Sequence, residues 1–174
     1  MCKSINGYGP TEATVLATMC DLSQAVLEDT RPKQLIGTAF ANVQTYILDG
    51  YLQPVPIGVA GELHIGGVGL ARGYLNRPDL TAAKFIPNPF NKLERLYKTG
   101  DLARYLPDGN IEFVGRVDNQ VKVRGFRIEL GEIETVPIAH PQVSEAVVID
   151  SDDIPGNKRL VAYVVTRSKS EIKN

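Results

Sequence analysis

The alternation of apolar and polar positions predicts that residues 1–117 fold mainly as strands and turns. Short runs rich in β-branched and aromatic residues end at glycine, proline or Asp-Gly pairs, which is typical of antiparallel sheets. The predicted strands are 13–19, 43–48, 62–65 and the two arms of a hairpin, 103–106 and 110–114. Pro78 can open a short helix over 79–85, because its missing N–H costs nothing in a first turn, and Pro87 and Pro89 forbid its continuation.

The pattern changes after Asp118. Residues 121–124 alternate apolar and charged side chains, Gly125 interrupts them and 126–129 resume the alternation, which predicts a hairpin or a bent strand. A helical apolar spacing follows over 130–139, where Pro137 should shorten or kink the helix. Two valine-rich runs then predict buried strands. These runs are 144–149 and 159–166, so we place a boundary near Asp118 between units 1–117 and 118–174.

Composition narrows the classes of protein. The 174 residues are 43% hydrophobic and 22% charged, as in an ordinary globular protein, and the formal net charge is -1. This balance gives no general electrostatic reason to expect nucleic acid or an anionic membrane as a partner. No apolar run approaches the roughly 20 residues that span a bilayer. Cys2 and Cys20 have no metal-ligand spacing, so we expect a reduced, cytoplasmic protein.

Three runs carry the candidate chemistry, and each joins a glycine-bearing turn to a fixed acid or base. A nucleotide pocket built from loop ends requires this combination. In chain order the runs are Asn6-Gly-Tyr-Gly-Pro-Thr-Glu12, Tyr97-Lys-Thr-Gly-Asp-Leu102 and Gly115-Arg-Val-Asp-Asn-Gln-Val-Lys-Val-Arg-Gly-Phe-Arg-Ile-Glu129.

In the first run, Gly7 and Gly9 with Pro10 form a turn that exposes backbone N–H groups and admits ligand atoms closely. Tyr8 offers a flat face on which a base could stack, and Glu12 is a hard oxygen ligand suited to Mg²⁺. Taken alone, the run favours a plain Gly-Pro turn with a buried tyrosine and a solvated glutamate over a nucleotide site.

In the second and third runs, Asp101 could clamp a ribose diol, since a carboxylate accepts two hydrogen bonds at once. The alternative for Asp101 is an ordinary turn aspartate. The alternative for Arg116 is a surface strand residue in a solvated ion pair, which contributes little to stability.

The ordered series resembles the ATP-dependent adenylate-forming superfamily, most closely the adenylation domains of nonribosomal peptide synthetases. Gly61-Glu-Leu-His-Ile-Gly-Gly67 and Ala71-Arg-Gly-Tyr-Leu-Asn-Arg-Pro78 extend the likeness over almost the whole chain. The resemblance implies an α/β and α+β fold. Residues 1–117 would be the mostly-β C-terminal portion of the large adenylate-forming core, and residues 118–174 the hinge and the start of the small α+β lid subdomain.

The resemblance also implies residue roles and ligands. ATP, its AMP moiety and Mg²⁺ would occupy the site, with Tyr8 on adenine, Thr11 at the α-phosphate and Glu12 on the metal. Asp101 and Arg116 would contact the ribose, and Phe113 would present an aromatic face to the nucleotide. Gly7 and Gly9 are further implied nucleotide contacts. An amino-acid substrate would contact a pocket that includes Gly7, Val15 and Leu16, which suit a hydrophobic side chain.

Two positions are implied in a second half-reaction. Asp118 matches the hinge about which the small part rotates between adenylation and thioester formation, and hinges need few residues. Gly125 would let the phosphopantetheine arm of a carrier protein pass close to the backbone. The sequence by itself indicates only a loop aspartate and a strand bulge.

The family's phosphate loop and catalytic lysine have no counterpart among the 174 residues. We therefore expect a C-terminal fragment that is inactive alone, whose further partner is the remainder of the same domain. The glycine-rich stretch 66–73 lacks the spacing of a dinucleotide or phosphate loop, which indicates turn and packing roles, with that of Arg72 left open. His64 and His140 have no catalytic partner at motif spacing and are predicted to be structural.

Two other functions stay open from the sequence. One is an acyl- or aryl-CoA ligase of the same superfamily, although 71–81 and 121–134 favour the peptide-synthetase branch. The other is a catalytically inactive, β-rich remnant that serves as an interaction module, which predicts a folded chain without nucleotide affinity.

Overall fold

A computed structural model of the protein describes residues 4–23, 34–123, 126–151 and 159–167. Contacts between Cα atoms separate the chain into two compact units, the first ending at Val117 and the second beginning at Asp118. Within the described part the fold is mostly β with two helices, which confirms the predicted fold class.

Eight strands of the described first unit form one antiparallel sheet. Their bounds are β1 Ile5–Tyr8, β2 Thr18–Asp21, β3 Gln34–Ala39, β4 Val43–Leu48, β5 Gly61–Gly67, β6 Phe85–Pro87, β7 Arg95–Tyr105 and β8 Ile111–Arg116. The order across the sheet is β1-β2-β3-β8-β7-β5-β4, with β6 paired to β7. The pairing of β3 with β8, which are distant in the sequence, joins the first three strands to the central strand β7.

Most of the predicted strands of this unit are confirmed. Strand β4 has the predicted bounds, and β5 extends the predicted 62–65 at both ends. The predicted hairpin is formed by β8 and the last residues of β7, which begins well before the predicted arm. Its turn is closed where the Leu106 N–H donates to the Asn110 carbonyl at 2.8 Å. Helix α1, Pro78–Lys84, also agrees with its prediction to within one residue, and Phe85 then enters β6.

The strand predicted over 13–19 is wrong for most of its length. Thr11–Ala13 form a short 3-10 helix, and Thr14 and Val15 both have positive φ, at 58° and 70°. The chain thereby reverses before β2 begins at Thr18. Local β propensity is overridden because this segment folds back onto the end of β1.

The core of the first unit is formed by side chains from five strands of the sheet. Ile36, Ile47, Leu63, Ala103 and Ile111 are buried together, one from each of β3, β4, β5, β7 and β8. Each larger member contributes about 1.5–3 kcal/mol by leaving water. Tyr8 packs partly buried against this cluster and against a second one made of small and branched residues, which places its ring at the junction of the two.

His64 is buried in β5, and its Nδ1 lies 3.0 Å from the Glu62 carbonyl oxygen. Its Nε2 has no hydrogen-bond partner within the described residues. These positions agree with the predicted structural role. Burial lowers the pKa of His64 below its usual range, although the Glu62 carbonyl acts in the opposite direction.

This buried imidazole predicts a loss of stability in acid. An unfolded histidine takes up its proton near pH 6.5, while the folded chain resists protonation until lower pH, so the unfolded state binds more protons between the two pKa values. We expect the free energy of unfolding to fall by up to about 1.4 kcal/mol per pH unit below about pH 6.5, and to level off beneath the folded pKa. Urea unfolding measured on both sides of this pH checks the expectation. His64→Asn should reduce this dependence of stability on pH.

The second unit consists of two hairpins and a helix in its described residues. Their bounds are β9 Gln120–Val123, β10 Phe126–Glu129, α2 Leu130–Ile138, β11 Val143–Ser151 and β12 Arg159–Thr166. Strands β9 and β10 pair antiparallel, so the hairpin rather than the bent strand is confirmed. Helix α2 ends one residue after Pro137, in agreement with the predicted shortening.

The prediction of two buried strands is right for only one face of β11. Val143, Ala146 and Val148 are buried on the face that contacts α2. On β12, Tyr163 and Val165 are 61% and 54% exposed. A two-stranded ribbon with one helix is covered on one side only, and valine content does not report which side.

Neither helix in the described part of the chain could cross a membrane. Helix α1 has 7 residues and α2 has 9, whereas a bilayer requires about 20.

Candidate nucleotide-binding site

The loop that follows β1 is held against its own strand end. The Ala17 N–H donates to the Tyr8 carbonyl at 2.8 Å, and the Ala13 N–H donates to Pro10 at 3.0 Å. A Cβ on Gly9 would lie 2.4 Å from the Val15 carbonyl oxygen and 2.7 Å from the Ala17 nitrogen. Only glycine fits this approach, since real Cβ contacts are never so short.

Tyr8 links this loop to β7. Its hydroxyl donates to Asp101 Oδ2 at 2.5 Å, across 93 residues of sequence. Burial raises the pKa of the Tyr8 phenol far above its usual range, and the neighbouring Asp101 charge raises it further. The phenol therefore keeps its proton and acts as a donor.

Asp101 also forms an ion pair with Arg116 on the neighbouring strand β8. Arg116 Nη1 donates to Asp101 Oδ1, and Nη2 donates to the Thr99 carbonyl at 3.3 Å. The Arg116 side chain is only 19% exposed and the Asp101 side chain 11%. Asp101 thus lies inside β7 rather than in a turn, and Arg116 is not a solvated surface residue.

Residues of β5 hold the backbone around Asp101 in place through hydrogen bonds. The Asp101 N–H donates to Thr99 Oγ1 at 2.9 Å, and that hydroxyl donates to the Leu63 carbonyl at 2.7 Å. The Gly100 N–H donates to Glu62 Oε1 at 3.1 Å. Sequence reasoning missed both supports. The only sequence signal for the contact with Gly100 was the presence of an acidic residue, Glu62, within the Gly61–Gly67 run.

Glu12 is buried, at 8% exposure, in the short 3-10 helix of the same loop. The Tyr74 hydroxyl donates to its Oε1 at 2.6 Å, and its own carbonyl accepts the Ala71 N–H at 2.8 Å. The glutamate is therefore held by a second segment of the chain, which the sequence indicated only as turn and packing.

The described residues contain no group of three or more His, Cys, Asp or Glu side chains that could hold a metal ion. Mg²⁺ commonly takes one or two carboxylates and completes its shell with substrate phosphates and water. The single Glu12 carboxylate, one residue after the Thr11 hydroxyl, fits such a shared site and does not fit a metal cage.

Comparison with known proteins matches both ends of the chain to one family. The pattern of the AMP-binding enzyme family matches residues 1–75, and that of the AMP-binding enzyme C-terminal domain matches residues 132–174. The chain belongs to the AMP-binding enzyme family. The two matches lie in the same order as the two compact units.

Among relatives of this chain, tyrocidine synthase 3 from Brevibacillus parabrevis is 58% identical over 160 residues. That match covers 92% of this chain and 2% of the relative. A solved Klebsiella oxytoca NRPS di-domain, NpsA-ThdA, artificially fuses an adenylation and a PCP domain. It gives a TM-score of 0.77 at 35% identity, covering 95% of this chain and 31% of the solved one.

A second solved NRPS protein containing adenylation and PCP domains gives a TM-score of 0.79 at 33% identity. That match covers 94% of this chain and 33% of the solved chain. The chain thus spans a small part of the length of its sequence relatives and about a third of the solved chains.

The structure brings three of the predicted site residues together at the Asp101 carboxylate, namely Tyr8, Asp101 and Arg116. Thr11 is exposed next to buried Glu12, and Phe113 packs partly buried against the core cluster. Gly7 is exposed on β1.

Two further predicted positions are exposed side chains in the loop before β2. Val15 and Leu16 are 71% and 47% exposed. Asp118 lies in the bend before β9, where its Oδ1 accepts the Gln120 N–H at 3.3 Å. Gly125 lies outside the described residues.

Proposed function

We propose that this chain is part of an adenylation domain, which activates an amino acid with ATP and Mg²⁺ and passes it to a phosphopantetheine carrier in nonribosomal peptide synthesis. The observation that carries the proposal is the buried Asp101 carboxylate, flanked by the Tyr8 hydroxyl and the Arg116 guanidinium. The similarity to tyrocidine synthase 3 and to solved adenylation-PCP proteins supports it and favours this branch over a CoA ligase.

The proposed roles follow from donor and acceptor chemistry. Bound ATP would supply the α-phosphorus that the substrate carboxylate attacks, and the bond to pyrophosphate, the leaving group, would break. The Asp101 carboxylate would accept hydrogen bonds from ribose hydroxyls. Arg116 would hold the Asp101 carboxylate in place and donate to the ribose. The Tyr8 ring would face adenine, with Phe113 as a second aromatic surface. The Gly7 and Gly9 backbone would line the approach of the nucleotide.

The phosphate end of the nucleotide would lie at the 3-10 helix. Thr11 would donate its hydroxyl to the α-phosphate, and Glu12 would hold Mg²⁺ together with phosphate oxygens. The exposed side chains of Val15 and Leu16, with Gly7, would contribute to the amino-acid pocket. We place the reaction in the cytoplasm, where ATP is available.

Nucleotide binding tests the proposal. Calorimetry with Mg²⁺ and a non-hydrolysable ATP analogue is carried out on an intact adenylation domain that contains these 174 residues, and amino-acid-dependent pyrophosphate exchange is measured on the same protein. We expect both signals. A folded intact domain that binds no analogue would overturn the proposal and favour the interaction module.

The hinge assignment makes a separate prediction. Asp118→Pro fixes one backbone dihedral of the bend and should reduce thioester formation about 100-fold, since small misplacements of reacting groups have this effect. Pyrophosphate exchange should stay near its original rate. Asp118→Ala, which removes the carboxylate and its contact with Gln120 but does not fix the backbone dihedral, is the matched control. Equal loss of both half-reactions in the proline variant contradicts the assignment, as does equal behaviour of the two variants.

A further inference from the structure

The segment 67–74 contacts the Glu12 loop at three points. The Ala71 N–H donates to the Glu12 carbonyl, the Tyr74 hydroxyl donates to the Glu12 carboxylate, and Thr14 Oγ1 donates to the Gly69 carbonyl at 2.6 Å. Leu70 packs against the second core cluster beneath the same loop. These backbone and side-chain contacts show that the segment 67–74 holds the Glu12 loop in position.

Tyr74 is itself held by its surroundings. Its N–H donates to Thr81 Oγ1 of α1 at 2.9 Å, and its ring meets Phe85 edge-on at 5.7 Å between centroids. The phenol remains a donor whose position is set independently of Glu12.

Arg95 also holds the segment 67–74 in place, through two hydrogen bonds. Arg95 Nη1 and Nη2 donate to the carbonyls of Arg72 and Ala71 at 3.1 and 3.0 Å. The guanidinium lies 5.4 Å from the centre of the Phe85 ring. Because Phe85 contacts both Arg95 and Tyr74, the donor cannot shift without disturbing a packed aromatic group.

We propose that Tyr74 is a positioning residue that orients the Glu12 carboxylate toward a divalent cation shared with the nucleotide phosphates. The inference rests on the proposed function. A hydrogen bond from a fixed phenol to one carboxylate oxygen selects one rotamer of a flexible side chain and holds it before the metal arrives. Donors that hold a metal-ligating carboxylate commonly change metal affinity 10–100-fold when they are removed.

Tyr74→Phe isolates the hydroxyl, because it keeps the ring and its contact with Phe85. In the intact domain, binding of a non-hydrolysable ATP analogue is titrated by calorimetry without metal and at rising Mg²⁺. We expect the apparent Mg²⁺ dissociation constant to rise about 10-fold, at the lower end of that range, with metal-free analogue affinity unchanged. A structural role alone would weaken both.

Tyr105→Phe is the matched control, since the partly buried Tyr105 hydroxyl donates to the Thr45 carbonyl at 2.8 Å, away from Glu12. Mn²⁺ binding followed by electron paramagnetic resonance gives a readout independent of turnover. Addition of Tyr74→Phe to Glu12→Gln should change the metal constant no further, because the oriented group is already neutral.

The outcomes separate the two proposals. Equal metal constants in the Tyr74→Phe and Tyr105→Phe proteins overturn the positioning role and leave the function standing. Additive effects of Tyr74→Phe and Glu12→Gln, or a loss confined to metal-free binding, also overturn it. A wild-type domain that binds analogue without any Mg²⁺ dependence overturns the shared cation site, and a domain that binds no analogue overturns the proposed function with it.

Discussion

Replacement of Asp101 by alanine is expected to weaken ATP binding to the intact domain by about 1.5–3 kcal/mol, through loss of charge-assisted hydrogen bonds. It should also lower the free energy of unfolding by about 3 kcal/mol, because Arg116 loses its partner at a position that is 19% exposed. The Tyr8 hydroxyl loses its acceptor in the same step. Calorimetry and urea unfolding measure the two effects separately.

Asp49→Ala is the matched control for this experiment. Asp49 accepts the N–H groups of Tyr51 and Gln53 in the exposed turn after β4, so its loss disturbs a turn and leaves ATP affinity unchanged. Asp101→Asn should keep part of the stability and lose most of the affinity, since the amide retains an acceptor and has no charge. Unchanged ATP affinity in the Asp101→Ala domain would remove Asp101 from the site.

The ion pair behind this prediction shows what sequence can reach. The motifs identified Asp101 and Arg116 as candidates, but not as partners. Their pairing depends on the register of β7 with β8, which places the two residues opposite each other. A register shift between Leu102 and Ala103 lies within that pairing. The alternating pattern predicted both arms of this hairpin but not the register shift, because a shift depends on how the folded strands pair.

Glu12 marks a second limit. Its partner Tyr74 lies 62 residues away in a stretch that sequence assigned to turns and packing. Glycine-rich composition predicts an irregular backbone, but it does not report which other loop that backbone supports. The wrong strand over 13–19 has the same origin, since the hydrogen bond from Ala17 to Tyr8 is a tertiary constraint on a locally β-prone run.

Gly9→Ala is expected to lower the free energy of unfolding by about 3 kcal/mol, the upper end of typical overpacking effects. The added methyl would meet backbone atoms of Val15 and Ala17, which cannot move aside as a side-chain tip can. Relief requires the loop to leave β1, which breaks the hydrogen bond from Ala17 to Tyr8 and shifts Glu12 with it. ATP affinity of the intact domain should therefore fall together with stability. Urea unfolding and calorimetry measure the two losses.

Two further glycines in the chain distinguish a backbone clash from a general effect of alanine. A Cβ on Gly7 would meet Leu16 Cδ2 at 2.8 Å, the end of a 47% exposed side chain, so Gly7→Ala should change unfolding by less than about 1 kcal/mol. Gly50 has no atom within 4 Å of such a Cβ, and its alanine variant should leave stability and ATP affinity nearly unchanged. If Gly9→Ala unfolds like Gly50→Ala, the loop is not pressed against β1, and the nucleotide site cannot depend on that contact.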